Sequence, residues 1–393
     1  MVSSSQAVAE RQRGEQVKGR PIRRFLAVLA TTAAVGVSSV AVAVADPADP
    51  APGTVVSTGP LPSVAEVPGA AKSQRVTYWT RTNNDAPAQS TGAIFLPAGS
   101  PPAGGWPVVS WEHGTVGLAD HCQPSVAGRI QRDNDYLSHW LGQGYAIVAT
   151  DYLSVNGVQP YLDGRAEAHS GIDMVRAARS IEPSLSSKWV AIGQSQGGGA
   201  AVWTASMATR YAPELDYRGA VATGPASHVV EEMILATSPA APTIANPHTN
   251  VYPAFVLAAL HSARPDFEPD YYLTPRGKDV VRAATTVCLD QLVDVHPGAT
   301  IKDLFARPLS EGNFAEIGHQ VFDVPVTGYD RPLFIGQGLA DTDVIAPGTM
   351  ALIAELEANG THPEAHFYPG KDHSATVNGS LPDSTPFVAR LLA

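Results

Sequence analysis

The sequence predicts an α/β fold on a mainly parallel sheet of eight strands flanked by helices, with a helical segment inserted before the penultimate strand. Three observations carry this. Short apolar runs alternate with helix-length amphipathic segments from residue 75 onward. Two runs, Trp106-Pro-Val-Val-Ser-Trp111 and Gly144-Tyr-Ala-Ile-Val-Ala-Thr150, are almost continuously apolar, as strands buried on both faces must be. The alternation then breaks between about residues 226 and 330, where Pro-rich turns separate helical patterns.

The first two strands, Arg75–Thr80 and Thr91–Leu96, flank the polar turn Asn83-Asn84-Asp85 and read as an antiparallel pair. Trp106–Trp111 follows, then a helix over Ile130–Leu141, then the strand Gly144–Thr150. Ile172, Val175 and Ala178 fall on one face of a helix over Ser170–Ile181. Lys188–Gly193 is a short apolar strand feeding a Gly/Ala-rich helix from about Gln196, and Arg218–Thr223 is the next strand. Within the inserted segment, 226–330, helical patterns cover Tyr252–Leu260 and Lys278–Val293. Pro332–Gly336 returns to the sheet, a helix over Met350–Ala358 stops at Asn359-Gly360, and Ala365–Tyr368 is the last strand before a C-terminal helix.

Composition narrows the function classes. The apolar fraction of 44% excludes a disordered chain, and 35 Gly with 33 Pro and no Gly-X-Y period imply many turns rather than a fibre. A net charge of −11 without a basic stripe argues against a nucleic-acid partner. Arg11, Arg13, Lys18, Arg20, Arg23 and Arg24 precede an Ala/Val/Leu stretch from Phe25 to Val44 that closes with Ala43-Val44-Ala45. Basic, apolar, then small-x-small is the layout of a cleavable export signal over 1–45. The stretch approaches the length of a membrane anchor, but its Ala, Ser and Thr content makes it weakly hydrophobic. A secreted protein follows, with an extended Pro/Ala/Gly-rich leader over 46–72, a core over 73–225 and 331–393, and the insertion over 226–330 as a lid.

The chemistry centres on Gly193-Gln194-Ser195-Gln196-Gly197. Between an apolar strand and a helix, this pattern forms a sharp turn that lifts the Ser195 hydroxyl out of the sheet. A Ser nucleophile needs a base, and the base an orienting acid, in the chain order Ser, acid, His on such a sheet. Asp341 and His373 both lie in loops just past strand C-terminal ends, where open α/β sheets place their ligands. Asp343 competes with Asp341, and His366 with His373, although His366 falls inside the last strand. The oxyanion would be held by the backbone N–H of Gln196 and one from the loop Glu112-His113-Gly114-Thr115-Val116-Gly117, with Thr115 first and Val116 next.

On these residues, with Asp120-His-Cys122-Gln-Pro-Ser125, Gly338-Leu-Ala-Asp341 and Asp372-His373, the chain resembles the α/β-hydrolase superfamily. Within it, the chain is similar to the secretory lipase family of fungi and actinobacteria. The resemblance covers roughly Ser63 to the C-terminus. It implies hydrolysis of a lipid or other ester through an acyl-enzyme, transient contact with lipid interfaces, and an insertion that shapes an acyl tunnel. An acyltransferase or peptidase would use the same three residues, and a catalytically silent lipid-binding protein would keep the same scaffold. Asp341 is followed by Thr-Asp-Val-Ile-Ala-Pro rather than a direct Val-Pro, which keeps Asp343 open as the acid. In an exported protein the only two cysteines, Cys122 and Cys288, are expected to form a disulfide that pins the insertion beside the site; the alternative is two unrelated buried thiols. No phosphate loop, H-E-x-x-H or paired C-x-x-C is present, so neither a metal nor an organic cofactor is expected.

Overall fold

In a computed structural model, which describes residues 49–393, all the expected strands form and one more joins them. The strands are β1 (Val55–Gly59), β2 (Lys72–Arg81), β3 (Pro87–Leu96), β4 (Trp106–Glu112), β5 (Ala146–Leu153), β6 (Leu185–Gln194), β7 (Asp216–Thr223), β8 (Leu333–Gly338) and β9 (Glu364–Tyr368). They form one sheet of nine, not eight, in the order β1-β2-β3-β5-β4-β6-β7-β8-β9. The extra strand comes from the leader. Its Gly59 sits opposite Arg75, so β1 satisfies backbone groups that would otherwise be bare along the edge of β2. Three of its five residues are exposed, so no apolar alternation marked it in the sequence. Leu61, Ala65 and Val67 of the same leader are buried in the core. The export signal expected over 1–45 lies outside the described residues.

β1, β2, β3 and β5 pair antiparallel, whereas β5, β4, β6, β7, β8 and β9 run parallel. Parallel neighbours need crossovers, and helices supply them on both faces. The short α1 (Pro124–Ala127) precedes α2 (Gln131–Gly142), then come α3 (Gly164–Ile181) and α4 (Gln196–Tyr211). The last three are α11 (Ala346–Ala358), α12 (His373–Gly379) and α13 (Leu381–Leu392). Val175 of α3, Val202 of α4 and Leu352 of α11 pack on one face of the sheet with Val108 and Trp189. Trp140 of α2 and Phe387 of α13 pack on the other with Trp111 and Phe334. Each fully buried aliphatic or aromatic side chain contributes about 1.5–3 kcal/mol.

Between β7 and β8 the chain forms α5 (Val229–Ala236), α6 (Pro247–Ala263), α7 (Pro275–Ala284), α8 (Leu289–Val295), α9 (Ile301–Leu304) and α10 (Phe314–Phe322). These helices share their own core of Phe255, Leu257, Leu260, Phe267 and Phe314, joined by Leu118 and Tyr161 from loops of the main sheet. The single pattern expected over Lys278–Val293 is two helices, α7 and α8. The Thr285 and Thr286 hydroxyls bond back to the Arg282 and Ala283 carbonyls, and Cys288 becomes the N-cap of α8. Cys288 is bonded to Cys122, 166 residues away in sequence. Closing so long a loop restricts the unfolded chain by up to about 5 kcal/mol on a chain-entropy argument. Among the described residues, no helix is long and apolar enough to cross a membrane.

Candidate active site

β6 ends at Gln194 and α4 begins at Gln196, leaving Ser195 alone in the turn between them with φ 59° and ψ −121°. A non-Gly residue in that region is strained, and the surroundings hold it there: the Ser195 N–H donates to the Thr223 carbonyl at 2.9 Å. The two flanking glycines are required by close approach. A Cβ at Gly193 would lie 1.8 Å from the Gly197 carbonyl oxygen, and one at Gly197 would lie 1.9 Å from that of Glu112. Gln196 opens α4, so its N–H has no acceptor within the helix and sits at the positive end of the helix dipole.

His373 begins α12, and Asp372 caps that helix by accepting from the Ala375 N–H at 2.7 Å. Its Nδ1 meets Asp341 Oδ2 at 2.7 Å, with both side chains buried. The other carboxylate oxygen of Asp341 accepts the N–H groups of Asp343 and Val344 at 2.9 and 3.0 Å, which fixes its orientation. Asp343 turns instead toward α6, where Asn246 donates to it at 2.8 Å and the Thr249 hydroxyl also donates. His366 stacks on Phe334 at 4.9 Å within β9 and lies beside Asp383.

The remaining ring nitrogen has a partner that spacing did not suggest. The Gln194 side-chain amide nitrogen lies 2.8 Å from His373 Nε2, while Arg132 donates to the same amide's oxygen at 3.1 Å. With its oxygen facing a guanidinium, the amide presents its NH2 to the ring. Nε2 must then carry a lone pair, and Nδ1 the proton shared with Asp341, which is the tautomer a general base requires. Among the described residues, Nε2 bonds to Gln194 rather than to the Ser195 hydroxyl. Gly114 leaves room for this amide, since a Cβ there would lie 2.4 Å from Gln194 Oε1.

Ser195 and Thr115 stand where two cavities meet. One, of about 640 Å3, is walled largely by apolar side chains, including Val229, Met233, Ile244, Val256 and Val344. Glu232 also lines it, and burial together with the nearby Asp341 pushes the Glu232 carboxyl up to about 8. The other cavity, of about 430 Å3, is lined by Arg129, Arg132, Asp133, Asp290 and His373 with the Cys122–Cys288 disulfide. Thr115 bonds through its hydroxyl to Tyr161 at 2.7 Å, and the carbonyl of Val116 accepts from Leu289 of α8 at 2.9 Å. Tyr252 and Val256 of α6 reach the apolar cavity, whereas Phe255, Leu257 and Leu260 are core. His121, Cys122 and Cys288 lie close enough to share a metal ion, but both sulfurs are consumed by the disulfide.

A secretory lipase family profile matches residues 122–301. The chain resembles the secretory lipases. It is 26% identical over 366 residues to Lipase A of Moesziomyces aphidis, spanning 84% of this chain and 75% of that one. A 190-residue stretch, 44% of this chain and 42% of the relative, is 27% identical to a "probable inactive lipase" of Mycobacterium tuberculosis. Candida antarctica lipase A in its closed state superposes with a TM-score of 0.67 at 22% identity, covering 87% of this chain and 82% of that one. The fold is thus that of the α/β-hydrolases, and the similarities are to lipase-type ester hydrolases.

Proposed function

We propose that the protein is an exported serine carboxylic-ester hydrolase acting on lipid esters. The observation that carries the reading is the position of Ser195, raised on a strained turn at the junction of an apolar and a polar cavity, with His373 lining the polar one and its partner Asp341 lining the apolar one. The acyl chain would occupy the larger cavity beneath the inserted helices, and the alcohol the smaller one. Ser195 Oγ attacks the ester carbonyl as His373 Nε2, released by Gln194, takes its proton. Asp341 orients the ring and stabilises the imidazolium. The N–H groups of Gln196 and Thr115 hold the oxyanion. The imidazolium then protonates the departing alcohol, and water cleaves the acyl-enzyme by the same steps in reverse.

The relative described as inactive makes covalent labelling the deciding measurement. A fluorophosphonate should modify Ser195, and a p-nitrophenyl ester should be turned over by the wild type and lost in Ser195→Ala. Full activity in Ser195→Ala would remove the assignment, and an unlabelled wild type would leave a lipid-binding protein on a hydrolase scaffold. Analysing products in the presence of added alcohol separates hydrolysis from acyl transfer. If export removes 1–45, the secreted chain should begin at Asp46 by N-terminal sequencing.

A further inference from the structure

A carboxyl outside the proposed catalytic set reaches both sides of the oxyanion site. Glu167 lies in the first turns of α3 and is 1% exposed. Its Oε1 accepts two hydrogen bonds, from Gln196 Nε2 at 2.7 Å and from the backbone N–H of Leu162 at 3.0 Å. Gln196 is the residue after the nucleophile. Leu162 lines the apolar cavity with φ 61°, a conformation that needs outside support. The residue before it, Tyr161, bonds to the Thr115 hydroxyl at 2.7 Å. A single oxygen therefore ties the residue bearing one oxyanion donor to the loop that holds the residue bearing the other.

Burial pushes the Glu167 carboxyl up to about 8, against the pull of the Gln196 and Leu162 bonds. An apolar residue would fill the same space without that desolvation cost. A buried polar group kept at such a position, with its acceptor directed at two functional loops, points to a role beyond packing.

We infer that Glu167 is a positioning residue for the oxyanion hole, holding Gln196 and, through Leu162 and Tyr161, Thr115 in register. The inference rests on the proposed roles of Gln196 and Thr115. Its test is kcat and KM per active site titrated with a fluorophosphonate, on the full chain. Glu167→Leu keeps the volume and loses the acceptor; kcat should fall about 10- to 100-fold with KM within about 3-fold, as for a misplaced transition-state contact. Glu167→Gln keeps an oxygen at Oε1 and should restore kcat to within about 3-fold of the wild type. Gln196→Met cuts the same tether from the other side while keeping the backbone N–H, and should reproduce the kcat loss even where Glu167→Leu does not fold.

A Glu167→Leu or Gln196→Met enzyme with wild-type kcat per titrated site overturns the inference. So does a Glu167→Gln enzyme as slow as Glu167→Leu. Absence of turnover in the wild type would instead remove the hydrolase reading, and this inference with it.

Discussion

In the proposed mechanism each ring nitrogen of His373 has a different task, and the proposed acid is the carboxylate that faces Nδ1. Asp341 does so at 2.7 Å, whereas Asp343, two residues on, turns toward α6, where its Oδ1 accepts from both Asn246 and Thr249. Asp341→Asn should lower kcat by about 10³–10⁴-fold, because an amide in that place favours the wrong tautomer of the ring. Asp343→Asn should change kcat by less than about 10-fold, since it alters only hydrogen bonds to α6. The p-nitrophenyl ester assay on both variants decides between them, and the reverse ranking would transfer the orienting role to Asp343. Sequence order named both candidates. The backbone turn after β8, which aims two N–H groups at one oxygen of Asp341, leaves its other oxygen facing His373 and favours Asp341 in that role.

The inserted helices act through the surfaces they present to the sheet. Most of the apolar side chains of α6 close the insertion's own core, but Val256 faces the larger cavity and is itself only 3% exposed. Val256→Trp should fill that cavity. The prediction is a fall of at least about 10-fold in the kcat/KM ratio of long-chain to short-chain esters, with short-chain turnover retained. A ratio equal to the wild type's would place the acyl chain elsewhere. The start of α3 shows why pattern reading stopped short: the expected helix began at Ser170, because Glu167 and His169 interrupt an apolar face. Both are buried, and the helix begins at Gly164 behind its Asp163 cap. Glu167 lies against Gln196, whereas His169 meets the Thr82 carbonyl and packs against Tyr211.

Across the whole molecule, several carboxyls are held away from water. Glu112 lies below the Ser195 turn; burial pushes it up to about 8, and among the described residues its Oε2 has no hydrogen-bond partner. Glu167 and Glu232 are also pushed up to about 8, chiefly by burial. A carboxyl raised on folding binds more protons folded than unfolded through the interval between its two values. Its contribution is therefore fully present below the ordinary carboxyl range and is lost as pH rises toward 8. Thermal unfolding should show a higher Tm near pH 5 than near pH 8. Glu112→Gln should flatten that slope and raise the Tm at pH 8 relative to the wild type. An unchanged slope in Glu112→Gln would mean that this carboxyl is ionised in the fold.

Local order along the chain determined the fold class, the crossover helices and the place of the helices inserted between β7 and β8, and it made Ser195, Asp341 and His373 the candidate set, because strand and helix periodicities and tight Gly turns are properties of neighbouring residues. The ninth strand escaped because an exposed edge needs pairing but no apolar pattern. Tertiary structure alone brought Gln194 to His373, with Arg132 setting the amide's direction, and Glu167 to Gln196 and Leu162. It also placed Ser195 between two cavities of unlike polarity, while the Cys122–Cys288 bond formed as the sequence led one to expect. These contacts join residues distant in sequence or on different elements, and their geometry is fixed by packing. A polar residue in a sequence does not reveal whether it will face water or a buried partner.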